Sequence, residues 1–133
     1  MSSIFPQEIA DYLEDNGIGT VGTDILIGDF SQDSPDGIYL VTVASPAPSN
    51  ALDTEHHNVD IYCRFSSTSA GYDKLRAVYD LLHRDANFTL TTWYVYLAEA
   101  RSQIEDLGRD SQDRKLLRLA FHFIARLPTS SNS

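Results

Sequence analysis

Three glycines near the N-terminus, Gly17, Gly19 and Gly22, carry the Gly-x-Gly-x-x-Gly spacing of a loop that cradles a dinucleotide pyrophosphate. That chemistry needs a strand before the loop and a helix after it, so that helix N-terminal amides face the phosphates. Here a helical pattern precedes the glycines and an apolar, strand-like run follows. The inverted context makes the segment a structural turn. His56 and His57, with Asp53, Glu55 and Asp60 nearby, are metal-ligand types. Adjacent residues entering a strand point to opposite faces, and a metal site needs convergent ligands with a supporting shell. The pair therefore reads as polar residues at a loop–strand junction. Cys63 lies in register with Val59 and Ile61, as a small buried hydrophobe rather than a nucleophile. His83 falls at a helix end, where it suits the helix dipole. His122 falls on the strand face opposite Phe121 and Phe123, a solvated or interface face. Glu14-Asp15 and Glu105-Asp106 are solvated surface. The sequence assigns no catalytic, cofactor-binding or metal-ligating residue and no cofactor, and the expectation is a protein that is not an enzyme.

Aromatic side chains on strands are the more informative group. Tyr62, Trp93, Tyr94 and Tyr96 give a small chain much aromatic strand surface. Two readings stay open: they complete the core, or some of them form a subunit interface, where Tyr and Trp are enriched.

The elements that position these residues follow from periodicity. Phe5 to Asn16 reads as a helix, with Pro6 in its first turn and Phe5, Ile9, Tyr12 and Leu13 on one stripe. Gly17 ends it as a left-handed cap, with Ile18 folding back. Asp24 to Gly28 is a short strand, Asp29 to Gly37 is turn chemistry, and Ile38 to Val43 is a second strand. Ala44 to Glu55 reads as a long exposed arm. Asn58 to Phe65 alternates as a half-buried strand. Ser69 is the N-cap of a second helix running to about His83, with Tyr72, Leu75, Val78, Tyr79 and Leu82 inward. Phe88 to Ala98 is a long strand, and Gln103 to Asp113 a polar connection. Leu117, Leu119, Phe121 and Phe123 alternate as in a strand, although Leu, Arg, Lys and Ala favour helix in isolation. Strand is the reading taken. The order is α-β-β-β-α-β-β: an α+β fold, a mostly antiparallel β-sheet with two helices packed on one face. One domain spans 1–127, and 128–133 form a flexible tail.

Bulk properties narrow the function classes. A chain of 133 residues with 42% hydrophobic residues can bury a core without staples. Its net charge of −9 argues against wrapping nucleic acid, which needs clustered Lys and Arg. The single cysteine, Cys63, permits no intrachain disulfide. No basic stretch followed by an apolar run opens the chain, so no signal peptide is expected. No segment has the unbroken apolar length of a membrane span.

The block from Ile9 to Ile25, with its Gly-Ile-Gly-Thr-Val-Gly-Thr-Asp turn at Gly17 to Asp24, resembles the opening of the small minor capsid and tail-terminator proteins of long-tailed bacteriophages. The middle is similar too: an extended segment, His57 to Phe65, then a helix carrying Tyr72, Ala77, Tyr79 and Leu82. Leu107-Gly108-Arg109-Asp110, Arg114 and the Leu119–Phe123 alternation resemble the family's last hairpin. The Pro-Ala-Pro loop within Ala44 to Asn50 departs from the pattern, as does the lack of a Pro before Leu107. The resemblance implies a structural virion protein, assembled in the host cytoplasm. It would be a homo-oligomer, a hexameric ring that caps the tail tube and joins it to the head connector at the neck. Its expected partners are the tail tube protein and a head-completion protein, with DNA passing through the lumen unbound. A head-completion or connector adaptor is the alternative. A small cytosolic ligand-binding domain using the Gly17–Gly22 loop is a third reading.

Ring closure would have to overcome the mutual repulsion of acidic subunits through short-range burial and local charge pairing. The basic residues to consider are Arg64, Arg101, Arg109, Arg114, Arg118 and Arg126. Arg109 and Arg114 flank Asp110 and Asp113 in a turn, within reach of a neighbour's acidic loop, and the Arg fork suits carboxylates. The candidate interface set is therefore Arg64, Arg109, Asp110, Asp113, Arg114, Tyr94 and Tyr96.

Overall fold

A computed structural model describes residues 5–28, 36–43, 55–66, 68–83, 85–109 and 113–126. Two helices and seven strands follow one another as α1 (Phe5–Asp15), β1 (Ile25–Ile27), β2 (Gly37–Val43), β3 (Glu55–Phe65), α2 (Thr68–Leu82), β4 (Asp85–Thr89), β5 (Tyr94–Ala100), β6 (Glu105–Arg109) and β7 (Lys115–Arg126). The α+β class read from the sequence is the observed one, and the order is longer by two strands. The Asp29-to-Gly37 turn, the Ala44-to-Glu55 arm, Asp110 and the tail 128–133 lie wholly or largely outside the described residues.

All seven strands form one sheet, ordered β1-β2-β3-β7-β5-β4, with β6 pairing β7 beside the end of β5. Among the described strands only β1 and β2 run parallel. The long strand β7 is the spine. It pairs β3 from Phe65↔Lys115 to Glu55↔Ala125, and on its other edge it pairs β5 and then β6. Its identity as strand rather than helix follows from the alternation: Leu117, Leu119, Phe121, Phe123 and Ala125 are all buried on one face. A helix would have scattered these five around its circumference.

That face, continued by Ile38 and Leu40 on β2 and by Val59, Ile61 and Cys63 on β3, receives both helices. α1 lays Phe5, Ile9, Ala10 and Leu13 on it. The Phe5 ring stacks on His57 at 4.3 Å and meets Trp93 and Phe123 edge-on at 5.3 and 5.1 Å. α2 buries Leu75, Val78 and Leu82. It approaches β3 at Gly71, whose carbonyl accepts a weak bond from Cys63 Sγ at 3.3 Å. Ser69 lies inside this helix rather than at its cap.

The C-terminus of α1 is built as the sequence predicts. Gly17 has φ +80°, a region that penalises a Cβ. Ile18 N–H donates to Leu13 O and Gly17 N–H to Glu14 O, both at 3.0 Å, and Ile18 is buried beside the last turn. These are the two bonds of a Schellman cap.

Two segments differ from their sequence reading. Phe88 to Ala98 is not one strand but a hairpin: β4 and β5 pair antiparallel around a turn closed by Leu90 N–H to Trp93 O at 2.8 Å. The polar connection Gln103 to Asp113 contains β6, an edge strand whose register against β7 shifts between Asp106 and Arg109. The shift falls at Gly108, with φ +89°.

Candidate functional site

With the helices on one face, the other face of the sheet is free to carry polar groups, and its residues follow by register. Tyr39, Tyr62, Arg64, Asp60, Asn58, His56, Arg118, His122, Tyr94 and Arg126 alternate with the helix-facing set, Tyr39 and Arg64 being buried on this side as well. Along the middle, His56 Nδ1 and His122 Nε2 are 2.9 Å apart, and His122 Nδ1 is 2.8 Å from Asn58 Oδ1. Since Asn58 Oδ1 only accepts, His122 Nδ1 carries the proton and Nε2 accepts from His56. Burial first, then the neighbouring His56 and Arg101, hold the His122 pKa below its ordinary value. This is a hydrogen-bonded chain on a half-buried strand surface.

At the β6 end the face is held by ion pairs. Arg118 reaches Glu105 at 2.6 Å and Asp60 at 3.7 Å, while on the helix-facing side of the same edge Lys115, in register with Leu117, reaches Asp106 at 2.6 Å. Hydrogen bonds from Arg118 to Glu105 and Tyr62 raise its pKa further, while the Lys115 ammonium lowers that of Asp106. At the other end Tyr94 and Tyr96 set their rings edge to face at 5.1 Å. The Arg126 guanidinium lies over both, 5.4 and 5.9 Å from the ring centroids.

The residues singled out for an interface thus fall into three groups. Tyr94 and Tyr96 come together on the open face, half-buried. Arg109 and Asp113, both exposed, pair with each other at 3.7 Å, and Arg109 also donates to Asp113 O at 2.8 Å. Arg64 and Arg114 are only 2% and 9% exposed, and Arg114 pairs with Asp36 at 3.3 Å. Those two cations serve the subunit's own interior. Asp110 lies outside the described residues.

The residues considered for chemistry are placed as structural parts. Asp24 Oδ1 accepts the Thr20 N–H at 2.6 Å inside the Gly17–Gly22 turn, and a Cβ on Gly19 would sit 2.7 Å from that same oxygen. The turn folds onto its own aspartate, leaving no cradle for phosphate. His56 and His57 point to opposite faces, as their adjacency requires: His56 toward His122, and His57 toward Phe5 and Trp93, with Glu55 at 3.1 Å. Burial is the main cause of a lowered His57 pKa, opposed by Glu55. His83 stacks on Tyr79 at 4.6 Å and accepts the Ala100 N–H at 3.0 Å. Burial pushes the Cys63 thiol up to about 12. Among the described residues no three His, Cys, Asp or Glu side chains converge as a metal site. No helix among them is long and apolar enough to cross a membrane.

Sequence reasoning missed two features. Arg126 was grouped with the other arginines, although its β7 register places it beside Tyr94. Glu8 has no role in the sequence reading, yet it is 1% exposed. Its Oε1 accepts Thr92 N–H at 2.7 Å and Trp93 N–H at 3.2 Å. Its position on the apolar stripe, one residue before Ile9 and three after Phe5, was the available signal.

The fold is an acidic α+β sheet protein with both helices on one face and a polar, aromatic strand surface on the other. The family model of the bacteriophage tail terminator proteins matches residues 12–127, and the chain belongs to that family. It is a structural protein of a phage tail and a component of the virion. No curated protein matches the sequence.

Proposed function

We propose that the chain closes into a six-membered ring that caps the tail tube, stops its growth and joins it to the head connector. The observation that carries this reading is the family match across residues 12–127, which takes in the last turn of α1, all of α2 and the whole sheet. A closed cyclic ring repeats one heterologous interface. A tube end covered by a ring that does not template another copy cannot elongate.

The charge distribution supports DNA passing through without adhering. Arg76, Arg109, Arg114, Lys115 and Arg118 each pair with a carboxylate of their own chain. The chain as a whole stays at −9, so its surface field repels phosphate. Of the candidate interface residues, Tyr94, Tyr96, Arg109 and Asp113 are exposed enough to meet a neighbour directly. Arg64 and Arg114 are buried and lie outside that contact surface.

Native mass measurement and a cryo-EM map of the virion neck test the proposal. The expected results are a species of six times 14.9 kDa and density for the chain between tube and connector. A monomer at every concentration, or density on the head side of the joint, would overturn it.

A further inference from the structure

Two surfaces at one end of the subunit are incomplete in complementary ways. The first is a groove of about 260 Å³ between α1 and the β4–β5 turn, lined by Glu8, Asp11 and Asp15. Asp11 accepts from Gln7 at 3.1 Å, and among the described residues no cation pairs with any of the three. Glu8 is 1% exposed and its Oε2 has no hydrogen-bond partner, an expensive state for a buried carboxylate oxygen. Asp15 and its neighbour Glu14 also stand in the last turn of α1, which holds no basic residue. Carboxylates there face the negative end of the helix dipole. Within the subunit this groove lacks a positive charge.

The second surface is Arg126 with Tyr94 and Tyr96. Among the described residues the Arg126 side chain makes no hydrogen bond and no ion pair; its guanidinium lies over the two tyrosine rings. Stacking fixes the guanidinium plane while leaving its N–H edge available for a carboxylate. Tyr94↔Arg126 lies on the open face of the sheet and the groove on the helix face, so the two cannot meet within one chain.

From these observations we infer that the groove of one subunit receives the tyrosine-backed Arg126 of a second copy, in a head-to-tail contact that repeats around the ring. The inference rests on the ring reading above and names the contact that closes it. Charge complementarity selects the occupant: the chain carries the missing cation on the opposite face, and a heterologous contact of this kind either closes or propagates. A basic segment of a different tail protein would be the competing occupant.

The test is charge reversal on each side, read by mass photometry and sedimentation. Arg126→Glu disrupts one surface, and the double variant Asp11→Lys/Asp15→Lys the other; Glu8 is left alone because it holds the β4–β5 turn. Each reversal is expected to weaken self-association at least about tenfold, with unchanged Trp93 fluorescence and melting no lower than wild type, since Lys at position 15 suits the helix dipole. Mixing the two variants, or combining all three substitutions in one chain, is expected to restore assembly, which a merely misfolded subunit cannot do. If wild type assembles and the reversals assemble equally well, the contact is wrong and the ring reading stands. Weakening without rescue on mixing also overturns the pairing, and points to a basic partner protein. A wild-type chain that never self-associates overturns the ring reading and this contact together.

Discussion

Glu8 and Trp93 are 85 positions apart in sequence, yet the Trp93 N–H donates to Glu8 Oε1 at 3.2 Å. The same oxygen takes the Thr92 N–H at 2.7 Å. A helix carboxylate thereby satisfies the backbone of a hairpin turn that has no glycine, proline or asparagine of its own. Glu8→Ala leaves two donors without an acceptor and is expected to cost about 2–4 kcal/mol; Glu8→Gln keeps an acceptor oxygen and costs less. Urea denaturation followed by Trp93 fluorescence separates them, and an alanine variant as stable as wild type would show the clamp to be idle.

The α1 cap makes a second, purely conformational prediction. A Cβ added at Gly17 meets nothing within 4 Å, so its cost is the left-handed backbone alone. Gly17→Ala should lose about 1 kcal/mol, and Gly17→Asn less. At Gly19 the same methyl collides with Asp24 Oδ1, so Gly19→Ala should disturb the turn itself. If Gly17→Ala melts with wild type, the helix is capped by something else.

Acidification should destabilise the fold before the carboxylates titrate. His57 and His122 both have native pKa values below the ordinary 6.5, chiefly through burial. Below that value the unfolded chain binds more protons than the native one, so stability rises with pH across the window. The contribution is complete above about pH 6.5 and is lost as pH falls toward the lower native values. Unfolding free energies measured from about pH 7 to about 5.5 should fall steadily. His57→Phe, which keeps the ring stack on Phe5, should flatten the slope. A stability that holds or rises on acidification would contradict the assignment.

Cys63 should be chemically silent in the native state. Its thiol is fully buried and its pKa is pushed up to about 12, so almost no thiolate is present near neutral pH. A thiol reagent such as Ellman's reagent is expected to label the chain only under denaturant. Rapid native labelling would mean that α2 opens from β3 at Gly71.

The sequence by itself settled the elements with a strong period. The Phe5–Leu13 stripe with Gly17 behind it specified α1 and its cap. The alternation through Val59, Ile61 and Cys63 specified β3, and that of Leu117 to Phe123 outweighed helix propensity in β7. Adjacency alone was enough to send His56 and His57 to opposite faces. The Ile9–Ile25 block pointed to the family that the match over residues 12–127 establishes.

Tertiary structure decided what no local signal encodes. Thr89 to Trp93 is rich in strand formers and reads as continuous β; it turns because Glu8, brought from the other end of the chain, supplies the acceptor its amides need. β6 is polar and glycine-interrupted, and it becomes a strand because β7 offers it an unpaired edge lined with Lys115 and Arg118. The arginines are indistinguishable by type, so only packing separates Arg64 and Arg114, buried in the scaffold, from Arg126, stacked on two tyrosines. Periodicity reports which face a residue occupies; which groups meet across that face depends on strand order and register, which contacts distant in sequence determine.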